Sequence, residues 1–171
     1  LSIIHSGEVH APSDRTFLPA AAHFLMAHID PQWLRTVGAE MVEKPTSAPF
    51  FPTVGIADPT LKRLFLGLQT VIDHRASQLE QDTALWTFLS YLVAHHASHR
   101  LAVPPVKPVH AAIKRAVDYL QAHYADDIAL QDLAAIADLS RFHFCRVFGK
   151  TVGLSPSVYQ TQLRIAEARK L

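Results

Sequence analysis

Cysteine is nearly absent from this chain. Cys145 stands alone, which excludes an internal disulfide framework and fits a reducing compartment. Long apolar runs are missing as well. The longest one beside a helical pattern, residues 86–94, falls far short of the roughly 20 residues that a spanning helix needs. No signal-peptide pattern is read at the start, so a cytoplasmic location away from membranes is expected. A strong net charge is the third absence: 16 Lys+Arg face 15 Asp+Glu over 171 residues, and the chain as a whole steers no charged partner. With 49% hydrophobic and 18% charged residues, the composition is that of a folded globular chain, of a length for one domain or two small ones.

The order of the charges says more than their sum. Asp126, Asp127, Asp132 and Asp138 come first; then Arg141, Arg146, Lys150 and Arg164 follow with no acid until Glu167. A basic block one helix-turn-helix long is either a footprint for a polyanion or a solvated helix face.

Along the chain, residues 1–10 alternate and turn at Ser6-Gly7, and residues 20–29 are apolar enough for a second strand. Two strands make no stable sheet by themselves, so they are expected to belong to a larger β domain. Asp30-Pro31 caps and opens a short helix to about residue 39. Two amphipathic helices are expected at about 59–80 and 81–100, joined as an α-hairpin that packs either on the β domain or on a second copy. Pro104, Pro105 and Pro108 with no glycine make residues 104–108 an extended spacer and domain boundary.

After the spacer, Val109, Ile113, Ala116, Val117, Leu120 and Tyr124 mark one face of a helix. A short helix at about 130–137 follows, then a turn at Asp138-Leu139-Ser140, with Asp138 tolerable in a left-handed conformation and Ser140 as a cap. The next helix, about 141–151, divides into two faces at 100° per residue. Phe144, Val147, Phe148 and Thr151 point one way, toward a core; Phe142, Cys145, Arg146 and Gly149 point the other, flanked by Arg141 and Lys150. An arginine, a flat ring and small residues on an outward face suit the major groove, where arginine pairs with guanine acceptors and a ring meets a thymine methyl. Gly153 closes this helix, and Ser155-Pro156 opens the last one, with Tyr159, Leu163 and Ala166 inward.

The string Leu133-Ala134, Leu139-Ser140, Phe144, Arg146, Phe148, Gly153, Ser155-Pro156, Tyr159 and Arg164 resembles the first half of the AraC/XylS (arabinose-regulator) DNA-binding domain. Residues 5–10, His-Ser-Gly-Glu-Val-His, are similar to the end of that family's effector-binding cupin barrel, although Ser6 stands where proline is usual. The resemblance implies a mainly α fold: a trihelical helix-turn-helix unit plus a linking helix at 109–171, preceded by an α-hairpin and a remnant of a cupin-like β barrel within 1–103, with dimerisation helices at about 59–100. It also implies a second helix-turn-helix and more of the barrel outside this chain. Ala129 stands where the family often has a Ser or Thr cap, Asp138 replaces a turn glycine, and Cys145 occupies a position that is often polar and base-facing.

The function implied is a sequence-specific, ligand-responsive transcription regulator that is not an enzyme. Double-stranded DNA is its partner, touched by Ser140, Arg141, Phe142, His143, Cys145, Arg146 and Lys150. A small-molecule effector, a second copy of the chain and RNA polymerase are further partners, with no cofactor. Other readings are a truncated dimerisation partner that does not bind DNA, and a metal-dependent cupin enzyme using His5, Glu8 and His10. His95 and His99 share a helix face at i, i+4, but no acid or cysteine completes a metal set and solvent-exposed histidines are expected. Arg146 has a rival role as an ion-pair partner of Asp132 or Asp138. Cationic neighbours near Cys145 leave redox sensing open. The DNA reading requires the side of the 141–151 helix that bears Phe142 and Arg146 to face solvent.

Overall fold

A computed structural model describes residues 25–42, 48–53, 55–98 and 109–170. Among them are seven α-helices and no strand: α1 (Pro31–Val42), α2 (Pro59–Asp73), α3 (Gln78–His96), α4 (His110–Ala122), α5 (Leu130–Ala137), α6 (Arg141–Val152) and α7 (Pro156–Ala168). The chain is mainly helical, as expected. The first expected strand, the His5-Glu8-His10 set, His99 and the 104–108 spacer lie outside the described residues. Of the second expected strand, residues 25–29 are described and carry no strand.

The first two helices begin where local chemistry supplies a cap. Asp30 Oδ1 accepts from Gln32 N–H at 2.7 Å, with Pro31 at the first turn of α1. Asp58 Oδ1 accepts from the N–H groups of Thr60 and Leu61 at 2.8 and 3.1 Å and opens α2.

The hairpin turn falls earlier than the apolar pattern alone indicates. The two helices expected at 59–80 and 81–100 are 59–73 and 78–96, because Ser77 and Glu80 form a capping box. The Glu80 carboxylate accepts from Ser77 N–H at 3.1 Å and from Ser77 Oγ at 2.8 Å. Arg75, at φ 49°, makes the left-handed step just before it.

Among the described residues, one apolar core runs from α1 to α6. Val37 and Met41 of α1, Leu61 of α2, and Leu79, Leu89 and Val93 of α3 are buried together with Ile113 and Leu120 of α4, Leu130 and Leu133 of α5, and Phe144, Val147 and Phe148 of α6. Helix α3 is the shared element, touching α1, α2, α5, α6 and α7. The excess apolar stripe of the hairpin is thus largely spent on α1 and on the C-terminal helices. Leu66 and Ile72 on α2 stay exposed.

The far end of the hairpin is tied by a polar cluster. Asp58 Oδ2 accepts from Tyr91 Oη at 3.1 Å and pairs with His96 Nε2 at 2.9 Å. His96 is therefore half-buried and partnered rather than solvated, while His95 is exposed and stacks on Tyr91 at 4.2 Å between ring centroids. The Leu61 backbone N–H, followed by His96, Tyr91 and the Thr60 N–H, outweighs desolvation and holds the Asp58 carboxyl down at about 2, from 3.8. A depressed carboxylate contributes stability above its unfolded pKa and loses it as the pH falls through the folded one. Thermal melts between about pH 4 and about pH 2 should therefore show a drop in midpoint that is shallower in Asp58→Asn. Parallel curves for the two proteins would rule Asp58 out as the group responsible.

Candidate nucleic-acid interface

Helices α4, α5 and α6 pack as a three-helix unit, and α5, its turn and α6 form a helix-turn-helix. The turn is as the residues require: Asp138 adopts φ 57°, ψ 46° and its N–H returns to the α5 carbonyls. Ser140 Oγ then accepts from His143 N–H at 3.2 Å, fixing the start of α6. Gly153 ends α6 at φ 80°, a conformation that a side chain resists. Ser155 Oγ accepts from Val158 N–H at 3.3 Å and opens α7.

The cap that Ala129 does not supply comes from outside the unit. Asp82 of α3 reaches across, and its Oδ2 accepts from Leu130 N–H at 3.0 Å, while its Oδ1 accepts from Gln78 Nε2 at 2.7 Å. Asp127 answers from the other side: its Oδ1 accepts from Gln78 N–H at 2.8 Å, at the start of α3. Two helix N-termini thus exchange carboxylates, each anion sitting at the positive end of the other helix.

The link from α7 back to the α4–α5 turn uses one side chain that the sequence does not single out and one that it places in the basic block. Gln160 is buried, and its amide donates to the carbonyls of Tyr124 and Asp126 at 3.2 and 3.0 Å. Arg164 donates to the same two carbonyls at 2.8 and 2.9 Å. It is a structural brace for the α4–α5 turn rather than part of a basic face. Gln160 escaped notice because an amide interrupts an apolar pattern, and Ala166, expected inward, is exposed.

On α6 the core side is occupied by Phe144, Val147 and Phe148, all fully buried; Phe148 meets Tyr159 edge-on at 5.9 Å. Thr151, expected among them, is exposed. The opposite side departs from expectation in the same physical way throughout: α1 and α3 pack against it. Phe142 and Cys145 are half-buried against the core, and Arg146 lies over the Phe142 ring at 5.2 Å. Arg141, expected at a solvent-facing flank, pairs with Glu40 of α1, Nη2 to Oε1 at 2.7 Å, and lies over the Trp86 ring at 4.0 Å from its centroid. Ser140 and His143 are half-buried, and Lys150 is exposed. Packing around Cys145, with the Glu40 carboxylate adding to it, pushes the thiol up to about 12 from 9.0. Such a group is protonated at neutral pH and a poor redox nucleophile, so cationic activation of Cys145 does not occur in this arrangement.

Among the described residues, no group of three or more His, Cys, Asp or Glu side chains is placed to hold a metal ion, and no helix is long and apolar enough to cross a membrane. A capped helix-turn-helix braced by a fourth helix is the architecture of a DNA-binding module.

Comparison with known proteins gives that module a family. Residues 120–161 match the bacterial regulatory helix-turn-helix proteins of the AraC family. The uncharacterised HTH-type transcriptional regulator YbfI of Bacillus subtilis is 27% identical over 104 residues, 61% of this chain and 38% of that protein. The lactose operon transcription activator of Staphylococcus xylosus is 33% identical over 63 residues, 37% of this chain and 23% of its own length. The regulatory protein PocR of Salmonella typhimurium is 33% identical over 64 residues, 37% of this chain and 21% of its own length. The chain thus spans less than two-fifths of each of these curated relatives. No solved structure matches. Residues 120–161 are thus similar to an AraC-type helix-turn-helix.

The borrowed cap on α5 is testable. Asp82→Ala should lower the unfolding free energy by about 1 kcal/mol, the usual loss for an N-cap carboxylate, read from urea denaturation. Equal midpoints for the variant and the parent would show that the Leu130 N–H finds water instead.

Proposed function

We propose that this chain belongs to a ligand-responsive transcription regulator that binds double-stranded DNA through α6. In that reading Phe142, Cys145 and Arg146 meet base edges in the major groove. Ser140, Arg141, His143 and Lys150 meet the phosphate backbone and set register. The single observation that supports it most is the AraC-type match over residues 120–161, which contains the whole of the capped α5–turn–α6 unit built on Phe144, Val147 and Phe148.

The rest of the reading follows from the same family character. A small-molecule effector binds an upstream barrel, two copies associate through the hairpin at about 59–100, and RNA polymerase is a further contact. The place of action is the cytoplasm, and the chain performs no catalysis. The exposed Leu66 and Ile72 on the outer side of α2 favour pairing through the hairpin. A dimerisation partner that does not bind DNA is the second reading, favoured by the packing of α1 and α3 against the base-reading side of α6.

The two readings separate on DNA affinity. In a gel-shift titration with a duplex enriched by the protein from a random pool, Arg146→Ala should weaken binding by about 1–3 kcal/mol, the value of one arginine contact to a base edge. Unchanged affinity retires Arg146 as a reader, and failure to enrich any duplex favours the second reading.

A further inference from the structure

The N-terminus of a helix that reads DNA is where a backbone phosphate is ordinarily held, by first-turn N–H groups and a neighbouring cation. At α6 that seat is already taken by an anion from the same chain. Glu40, in the last turns of α1, sets one oxygen on the Arg141 guanidinium and the other on the backbone. Its Oε1 accepts from Arg141 Nε at 3.0 Å and Nη2 at 2.7 Å, and its Oε2 accepts from Phe142 N–H at 3.2 Å. The Trp86 ring backs the guanidinium at 4.0 Å. The two charged side chains are only 19% and 17% exposed, so little water screens them. A guanidinium and a first-turn amide converging on one oxyanion is the donor set that a phosphate diester takes.

We propose that Glu40 is an internal phosphate surrogate, and that α1 latches the DNA-reading helix in a closed state. The latch covers more than the phosphate seat. Phe142 and Cys145 share a cleft of about 420 Å³ with Met41 of α1 and with Trp86, Tyr91 and His95 of α3. A duplex laid on that side of α6 meets α1 first. Entry into the groove therefore requires Glu40 to leave Arg141 and α1 to move, and the two anions compete for one site. This inference rests on the reading of α6 as the DNA-contacting helix.

A latch of this kind weakens apparent affinity by the fraction of molecules that are open. Phosphates are the same in every sequence, so a random-sequence duplex of about 30 base pairs at low salt is a sufficient probe. Glu40→Gln keeps the volume and removes the charge, and it should bind that duplex at least about tenfold more tightly than the parent. Hydrogen exchange on the unaltered protein gives an independent reading: adding the duplex should speed exchange in residues 31–42 while slowing it in residues 141–152. Slowed exchange in 141–152 with unchanged or slower exchange in 31–42 overturns the latch and leaves DNA binding standing. So does a Glu40→Gln protein that binds no tighter while the parent binds. If neither protein binds and residues 141–152 are unaffected, the DNA reading itself falls, and the latch with it.

Discussion

The exchange of carboxylates between α3 and the α4–α5 turn is the constraint on which the rest of the architecture depends. Asp82 sits on the Leu130 N–H and Asp127 on the Gln78 N–H, so the first turn of the hairpin's second helix is bonded to the first helix of the helix-turn-helix. Neither bond contributes much beyond about 1 kcal/mol, but together they fix register. With that end held, α3 can run only across the C-terminal unit, and Trp86, eight residues along from Gln78, arrives beside α6. The positions of α1, Glu40 and the cleft beside Phe142 and Cys145 accord with that trajectory. The hairpin and the helix-turn-helix thus share a core.

How much of this was legible depended on whether the information was local. The 130–137 and 141–152 helices, the left-handed Asp138, the Ser140 and Ser155 caps and the Gly153 stop are decided by a few adjacent residues, and each stands where spacing puts it. The capping box at Ser77 and Glu80 was equally local; it was obscured because the first helical pattern was extended as far as residue 80. What escaped reading was non-local. Arg164 and Gln160 find the carbonyls of Tyr124 and Asp126 only after α7 has folded back. Asp82 replaces the cap missing at Ala129 from 48 residues away in sequence. The missing cap was visible; its substitute was not.

The same limit explains α6. Helical periodicity separates Phe144, Val147 and Phe148 from Phe142, Cys145 and Arg146, since both sets are distinct in angle, although it also places the exposed Thr151 with the first set. It does not say what lies over the second set. A face with an aromatic ring, a thiol and only one central cation is amphipathic enough to pack or to bind, and here α1 and α3 cover it. Cys145 belongs to the same logic: a small, weakly polar side chain tolerates either a neighbouring helix or a base edge.

Energetics decide what kind of switch such a cover can be. Helix α1 buries Val37 and Met41 completely, and each side chain contributes roughly 1.5–3 kcal/mol by leaving water. Detaching α1 therefore costs several kcal/mol in apolar contact alone. By contrast, the polar part of the exchange is nearly balanced, because a phosphate offers Arg141 and the Phe142 N–H what the Glu40 carboxylate already gives them. A single module with few phosphate contacts gains little net electrostatic energy from such a swap. In the unaltered chain the closed and open states are then separated mainly by where the apolar surface of α1 goes, and it is the Glu40 charge that keeps the polar exchange from favouring the phosphate. Anything that offers that surface another place to pack, whether a repositioned upstream domain or a second copy, shifts the population toward the open state by its differential binding and by no more than that. Regulation in such a molecule acts on α1, and DNA reads the result.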